Sequence, residues 1–144
     1  MAEQKWKMSK HPLYRGDRKT GVSIPNPTAD GSIVRHILFL EGPGRETPYL
    51  STSEEYESAN NFAAGGGVVW ETYLKTVRAE GVAHISRTEL LSLMKGNGKG
   101  KAKWENAFEV MQARRYVEQW NEHLLDFRET ANPEVTTKKI FKKS

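Results

Sequence analysis

The chain is predicted to turn from a strand into a helix at residues 49–55, which read Tyr49-Leu50-Ser51-Thr52-Ser53-Glu54-Glu55. The aromatic–aliphatic pair that opens this stretch suits the buried end of a strand. Ser51 and Thr52 are each followed three residues later by a glutamate, which is the spacing of a helix capping box. Such a corner presents short polar side chains at the edge of a cleft, although an ordinary capped helix after a strand reads the same way.

Further elements follow from hydrophobic periodicity and cap signals. The helix after the corner is predicted to end before Gly65-Gly66-Gly67, and Ser86 with Glu89 marks another capping box. The other predicted elements are a strand over residues 13–15, a helix or buried strand over 33–40, strand segments over 68–77, a strand over 108–112 and a helix over 114–127.

The composition predicts one soluble globular domain. The chain has 144 residues, 37% hydrophobic and 28% charged, a balance that is not typical of disorder. It has no cysteine, which excludes disulfides, zinc-thiolate sites and thiol nucleophiles and fits a reducing compartment. A net charge of +4 suggests an anionic partner. No apolar run is long enough to cross a bilayer, and residues 1–10 show no signal-peptide pattern.

Two flanking stretches add charged groups to the polar corner. Upstream, His11-Pro12-Leu13-Tyr14-Arg15-Gly16-Asp17 reads as a short strand with an arginine near its end. Downstream, Asn106-Ala107-Phe108-Glu109-Val110-Met111 reads as a strand with one carboxylate between apolar neighbours. The chain therefore presents an arginine, a serine–threonine–serine corner and a late glutamate in that order.

This order resembles the mono-ADP-ribosyltransferases of the arginine–serine–glutamate class. The resemblance covers roughly residues 11–115 and is carried by Tyr14-Arg15-Gly16, by Leu50-Ser51-Thr52-Ser53 and by Glu109. It implies an α+β fold in which a split, mixed β-sheet with short flanking helices binds NAD in the cleft between its halves. The predicted catalytic domain spans residues 11–128, between a flexible basic segment at 1–10 and a mobile basic tail at 129–144.

The resemblance implies a role for each motif. Arg15 would hold the NAD pyrophosphate through its bidentate guanidinium. Glu109 would stabilise the oxocarbenium-like ribose and bond its 2′-hydroxyl, with Ser51 supporting both. The nicotinamide would pack on an aromatic ring, and no metal is implied. The remaining predicted NAD contacts are Tyr14, Gly16, Thr52, Ser53, Tyr56 and Phe62.

One departure from the family pattern bears on the acceptor. Protein-arginine modifiers of this class carry a second Glu or Gln two residues before the catalytic glutamate, where this chain has Ala107. That acid helps to accept a proton from the attacking guanidinium, so its absence argues against arginine as the acceptor. Glu105 is a rival for the catalytic role, but Glu109 precedes an aliphatic pair, as the family's glutamate does.

In the family, the segment before the catalytic glutamate binds the target molecule. Here it alternates lysines with glycines and ends in Trp104. Lysines bind phosphates regardless of sequence, and a tryptophan can stack on an exposed base, although an ordinary solvated loop explains the run equally well. The predicted acceptor contacts are Lys99, Lys101, Lys103 and Trp104, with Arg114, Arg115 and the C-terminal lysines extending that surface.

Other chemistries find little support in the sequence. The four histidines show no paired spacing typical of a metal site. No Gly-x-Ser-x-Gly elbow is present, which argues against a serine hydrolase. The glycines at 96, 98 and 100 follow a predicted helix rather than a strand, which argues against a Rossmann fold.

The sequence therefore predicts a small mono-ADP-ribosyltransferase, a toxin or defence effector that transfers ADP-ribose from NAD to RNA in the cytoplasm of a bacterial cell. Control by an antitoxin or immunity protein is expected by analogy with such toxins. The first alternative is the same enzyme acting on a protein side chain. The second is a non-catalytic, basic RNA-binding module.

Overall fold

The computed structural model of the protein describes residues 11–29, 33, 36–37, 47–61, 63, 66–93 and 107–144. The strands are β1 (Leu13–Asp17), β2 (Tyr49–Ser53), β3 (Val68–Thr72), β4 (Ala83–Ile85), β5 (Glu122–Asp126) and β6 (Lys142–Lys143). The helices are α1 (Tyr56–Asn61), α2 (Leu74–Ala79), α3 (Arg87–Leu93), α4 (Ala107–Trp120) and α5 (Pro133–Ile140). Residues 33, 36 and 37 are also helical.

The strands form one sheet in the order β4-β5-β2-β1-β3-β6. Every pairing among these strands is antiparallel. The prediction of an α+β fold is confirmed, but the prediction of a mixed sheet was wrong. Hydrophobic patterns locate strands without giving their direction, which the pairing partner decides.

The sheet divides into two halves at the β1–β2 boundary. Within the described chain, β1 and β2 share a single register pair, Tyr14 with Ser53. By contrast, β2 is paired with β5 over five residues, and β1 with β3 over five residues. One half is therefore β4-β5-β2 and the other is β1-β3-β6.

Both faces of the central strands are buried, and each face has its own hydrophobic cluster. Leu50 and Leu125 pack with α2 and α5 on one face, whereas Tyr49 and Leu124 pack with α3 and α4 on the other. Successive strand residues point to opposite faces, so adjacent apolar pairs on β2 and β5 supply both clusters. Ile33 and Ile37, one helical turn apart, lie in the second cluster.

The helix after residue 86 begins as its cap signal predicts. The Ser86 amide donates to the Glu89 carboxylate at 3.3 Å, and the Glu89 amide donates to the Ser86 hydroxyl at 3.1 Å. This is the reciprocal pair of a capping box. The helix after the polar corner is also confirmed, but its cap contact runs from the Glu55 amide to the Ser53 hydroxyl.

The strand predicted around Glu109 was wrong, because that residue lies in α4. The apolar run that suggested a strand is short, and short runs do not distinguish strand from helix. Ala113 and Val117, four residues apart, give α4 a fully buried stripe. The helix predicted over 114–127 consequently begins earlier and ends at Trp120, where β5 follows after one residue.

Two further boundaries differ from the predictions. The strand predicted over 68–77 ends at Thr72, and α2 follows. Residues 129–144, predicted as a mobile tail, instead form α5 and β6. The Asn132 side chain caps α5 through the Val135 amide, and Ile140 and Phe141 are buried in the first cluster. Burying this apolar pair orders a segment whose exposed positions carry the lysines.

None of the described helices is both long and apolar enough to span a bilayer.

Candidate active site at the split of the sheet

The Ser51 side chain is the centre of a polar cluster on the face of β2 that carries Tyr49. Its hydroxyl donates to Oε2 of Glu122 over 2.8 Å. Ser51 is opposite Leu124 in the register, and Glu122 is opposite Ser53. The contact is therefore diagonal across the strand pair, and the glutamate side chain is long enough to make it. The Glu122 carboxylate, 71 residues from Ser51 in sequence, is thereby held in place by the serine hydroxyl.

His36 contacts the same hydroxyl from the helical turn above the sheet. Its Nε2 lies 2.7 Å from Ser51 Oγ, and its Nδ1 lies 2.8 Å from Thr47 Oγ1. The imidazole is 4% exposed and packs edge-on against Tyr49, with ring centroids 5.6 Å apart. His36 therefore belongs to this cluster, a role that the sequence does not indicate.

Arg15 holds β2 from the other half of the sheet. Its Nε donates to Asp17 at 2.8 Å, and its Nη1 donates to the Ser51 backbone carbonyl at 2.9 Å. Both side chains of the Arg15–Asp17 ion pair are 6% exposed. Arg15 therefore contacts Ser51 through the backbone carbonyl of the serine, and its predicted contact with the NAD pyrophosphate stays a prediction.

The Asp17 carboxylate anchors this arginine and the loop that follows β1. Burial alone raises the pKa of this carboxyl, but the Arg15 charge and hydrogen bonds from the Ser23 and Arg18 amides outweigh that effect, so the pKa is lowered from its usual value. The Ser23 amide and hydroxyl donate to it at 2.7 and 3.0 Å. Asp17 is therefore an ionised anchor for the guanidinium.

Two tyrosines contact each other near the β1–β2 pair. Tyr14 and Tyr56 meet edge to face, with ring centroids 5.6 Å apart and planes at 78°. Tyr56 is 45% exposed. Burial, followed by the charge of Glu71, raises the pKa of Tyr14 above its usual value. Both residues were predicted NAD contacts, and the structure places them together beside the Ser53 end of β2.

The two hydroxyls after Ser51 have structural contacts. Thr52 Oγ1 donates to the His123 carbonyl at 3.0 Å, and Ser53 Oγ donates to the Trp120 carbonyl at 2.6 Å. Gly16 is paired with Val69 in the sheet. The other predicted contacts lie outside the described residues: Phe62, Lys99, Lys101, Lys103, Trp104 and the rival acid Glu105.

A second buried polar chain lies at the β4–β5 edge. His84 Nε2 is 2.8 Å from His123 Nδ1, and His123 Nε2 is 3.2 Å from Glu54 Oε2. Arg87 Nε also lies 3.2 Å from that carboxylate. Mainly through burial, and then through the charges of His123 and Arg78, the pKa of His84 is lowered from 6.5 to about 3. The imidazole of His84 is therefore neutral at physiological pH.

The order of groups in the Ser51 cluster is not that of a serine hydrolase. In a hydrolase the acid bonds the histidine and the histidine accepts the serine proton. Here the acid bonds the serine directly, and the far nitrogen of the histidine contacts a threonine hydroxyl. The arrangement instead presents a buried carboxylate whose direction is fixed by a hydroxyl. Among the described residues no His, Asp and Glu group is arranged to hold a metal ion.

Sequence reasoning missed Glu122 and His36. Val117, Trp120, Leu124 and Phe127 recur at helical spacing, which hides the boundary between α4 and β5. One available signal is Asn121, which adopts a positive φ of 49° and is a residue type that favours this conformation at helix ends. A lone histidine such as His36 carries no such signal.

No family model, no curated protein and no solved structure matches the chain.

Proposed function

We propose that the chain is a mono-ADP-ribosyltransferase that uses NAD as donor, with Glu122 and Ser51 at the reacting ribose. One observation carries this proposal: the Ser51 hydroxyl holds the Glu122 carboxylate at 2.8 Å, while Arg15 holds the Ser51 carbonyl at 2.9 Å. An arginine and a glutamate thus both contact Ser51, the arginine at its backbone carbonyl and the glutamate at its hydroxyl. These are the three residue types that the resemblance requires, although the glutamate is a different one.

The chemistry follows from the charge of the carboxylate. The bond between nicotinamide and ribose breaks, the electron pair leaves with neutral nicotinamide, and positive charge develops on the ribose. A fixed carboxylate stabilises that charge most in the transition state, which is where stabilisation raises the rate. The acceptor atom then bonds the anomeric carbon and loses its proton. Glu122 takes the role predicted for Glu109, because it contacts Ser51 and starts β5.

Arg15 supports the site in two ways under this proposal. It pins the Ser51 carbonyl, and it places a positive charge near the expected NAD pyrophosphate. Because its side chain is only 6% exposed, the pinning role follows directly from the contacts. The tyrosine pair beside Ser53 supplies an aromatic surface for the nicotinamide, with Tyr56 the more exposed ring.

RNA remains the proposed acceptor. The residue two positions before Glu122 is Trp120, so the second acid of arginine modifiers is again missing. Fewer basic side chains support the surface proposed to bind RNA, because the Arg114 guanidinium contacts the Leu91 carbonyl. The lysines of β6 are separated from β5 by three strands, about 19 Å at the usual strand spacing. The proposal therefore relies on the lysine–glycine loop, which lies outside the described residues.

The catalytic assignment is tested by paired substitutions. Glu122→Gln keeps the side-chain shape but removes the charge, so NAD turnover is expected to fall by about 10²-fold or more. Glu109→Gln is the matched control on α4 and is expected to retain turnover. Both are measured as release of nicotinamide from NAD by the folded protein. An active Glu122→Gln with an inactive Glu109→Gln would restore the assignment made from sequence.

The acceptor is tested with labelled NAD in cell lysate, followed by separate nuclease and protease digestion. Label removed by ribonuclease alone supports RNA, and label removed by protease alone supports transfer to a protein. Nucleic-acid binding without any NAD consumption would indicate the non-catalytic module. Neutralising Lys99, Lys101 and Lys103 is expected to weaken RNA binding and flatten its salt dependence. Trp104→Ala is expected to cost a further ~1–3 kcal/mol if the indole stacks on a base.

A further inference from the structure

His36 is held in place by its helical neighbours rather than by the strands. Ile33 and Ile37 are 6% and 0% exposed and pack in the cluster that also contains Tyr49 and Leu124. Because these two residues lie one turn apart, they fix the rotation of the turn that carries His36. The imidazole is therefore presented to Ser51 by a packed element and not by a loose loop.

The hydrogens of this cluster can be assigned by counting. A hydroxyl has one hydrogen, and an ionised carboxylate can only accept. Since Ser51 Oγ lies 2.8 Å from Glu122 Oε2, its hydrogen points at the carboxylate. The 2.7 Å contact between His36 Nε2 and Ser51 Oγ must then be donated by the imidazole. His36 consequently carries a hydrogen on Nε2.

The other ring nitrogen completes the chain of bonds. Thr47 Oγ1 accepts from the Tyr49 amide at 3.2 Å and keeps its own hydrogen and a second acceptor site. His36 Nδ1 lies 2.8 Å away. When the ring is neutral, Nδ1 accepts the Thr47 hydrogen, and the hydrogens then run in one direction, from Thr47 through His36 and Ser51 to Glu122. Such aligned chains polarise and strengthen one another.

We infer that His36 is a positioning residue of the proposed active site: with a hydrogen on Nε2, it orients the Ser51 hydroxyl toward Glu122. This inference rests on the proposed function for its catalytic consequence, but its structural content does not depend on NAD. Without the imidazole, the serine hydroxyl can rotate and the carboxylate loses its fixed direction. The loss would act on turnover, because NAD affinity depends on other contacts.

The tautomer is tested first, without substrate. Nitrogen-15 NMR of the imidazole rings distinguishes a protonated nitrogen from a bare one, and the His36 signals are identified by their disappearance in His36→Gln. A hydrogen on Nε2, with Nδ1 bare at neutral pH, is expected. Ser51→Ala should change the Nε2 signal of that ring. A hydrogen on Nδ1 with Nε2 bare would overturn the inference, whatever the activity of the protein.

Turnover is tested next with two substitutions at the same position. His36→Leu removes both ring nitrogens, and we expect kcat to fall by about tenfold or more, the cost of one hydrogen bond in a charged network, with KM for NAD little changed. His36→Gln retains a donor and an acceptor and is expected to recover most of the loss. His11→Gln, at an exposed histidine, is the control and should retain normal turnover.

The outcomes separate this inference from the proposed function. A KM increase with unchanged kcat in a folded His36→Leu, or no rescue by His36→Gln, would overturn the positioning role. If the wild type consumes no NAD but shows the Nε2–H tautomer, the proposed function fails while the orienting contact is supported. If wild type is active and Glu122→Gln is inactive, an active His36→Leu overturns the inference alone.

Discussion

The two sides of strand β2 differ in how they are held. Toward β5, five residues are paired in register. Toward β1, the described chain has a single pair, at Ser53, and a guanidinium replaces the ladder at Ser51. The side of β2 toward β5, here called the closed side, is therefore held by a continuous backbone ladder, whereas the side toward β1, here called the open side, is held at Ser51 by a side chain. A functional site can form there because a side chain, not a neighbouring strand, satisfies the backbone carbonyl.

The hydroxyls of β2 show the same difference. Ser51 donates to a carboxylate within a polar cluster, whereas Thr52, on the opposite face, donates to the backbone of β5. Adjacent positions on one strand thus contact a side-chain cluster and the neighbouring backbone, respectively, because successive side chains point to opposite faces. Substitutions on the two sides should consequently have different readouts.

The largest loss of stability is expected from removing the Arg15 side chain, which holds the open side of β2. Arg15→Ala leaves the buried Asp17 carboxylate without its cation and the Ser51 carbonyl without its donor. Removing one partner of a buried ion pair costs about 3–5 kcal/mol. We therefore expect the unfolding free energy, measured by urea denaturation, to fall by that amount. An unchanged stability would mean that the open side is not held by this side chain.

Arg15→Lys tests the same contacts with the positive charge retained. Lysine keeps the charge beside Asp17 but lacks the planar fork that reaches both partners. A loss of about 1.5–3 kcal/mol is expected, the value of one hydrogen bond to a charged group. NAD affinity, measured by calorimetry, should also fall. Wild-type affinity in the lysine variant would remove the pyrophosphate contact from the proposal.

The serines of β2 should separate turnover from stability. Ser51→Ala removes the hydroxyl on Glu122, and turnover is expected to fall about tenfold or more, since bonds to charged groups contribute 1.5–3 kcal/mol. Ser53→Ala instead removes the contacts to the Trp120 carbonyl and the Glu55 amide. It should cost about 1–2 kcal/mol of stability. If Ser53→Ala alone lowers turnover, the assignment of Ser51 is wrong.

On the closed side, the loss of one side-chain hydrogen bond is expected to lower the stability by less. Thr52→Val keeps the shape of the side chain but removes its bond to the His123 carbonyl. One such hydrogen bond contributes about 0.5–1.5 kcal/mol, so thermal unfolding should show a modest loss with normal turnover. A loss as large as that of Arg15→Ala would contradict the idea that backbone pairing holds this side.

The last prediction concerns the pH dependence of stability at the closed side. The unfolded chain protonates the His84 imidazole below about pH 6.5, whereas the folded chain does so only near pH 3. The unfolded state therefore binds more protons in this window, and the unfolding free energy falls as the pH drops through it. His84→Gln should flatten this dependence in denaturation curves between pH 4 and 7. An unaltered slope would show that another group causes it.

The local features of this protein were predictable from its amino-acid sequence. The strand at Arg15, the corner at Ser51, the helix after it and the capping box at Ser86 all depend on neighbouring residues, which sequence patterns report directly. The α+β class followed from these elements.

The glutamate that contacts Ser51 was not predictable from the sequence, because long-range packing selects it. Glu109 directly precedes an apolar pair whereas Glu122 is followed by His123, and helical spacing runs across the boundary between α4 and β5. The choice depends on packing: Ala113 and Val117 bury one helix face against the sheet, and the chain turns at Asn121 into five residues that pair with β2. Contacts over 71 residues of separation, such as that of Ser51 with Glu122, leave no local pattern. The same holds for His36, whose place above Ser51 is set by the cluster around Ile33 and Ile37.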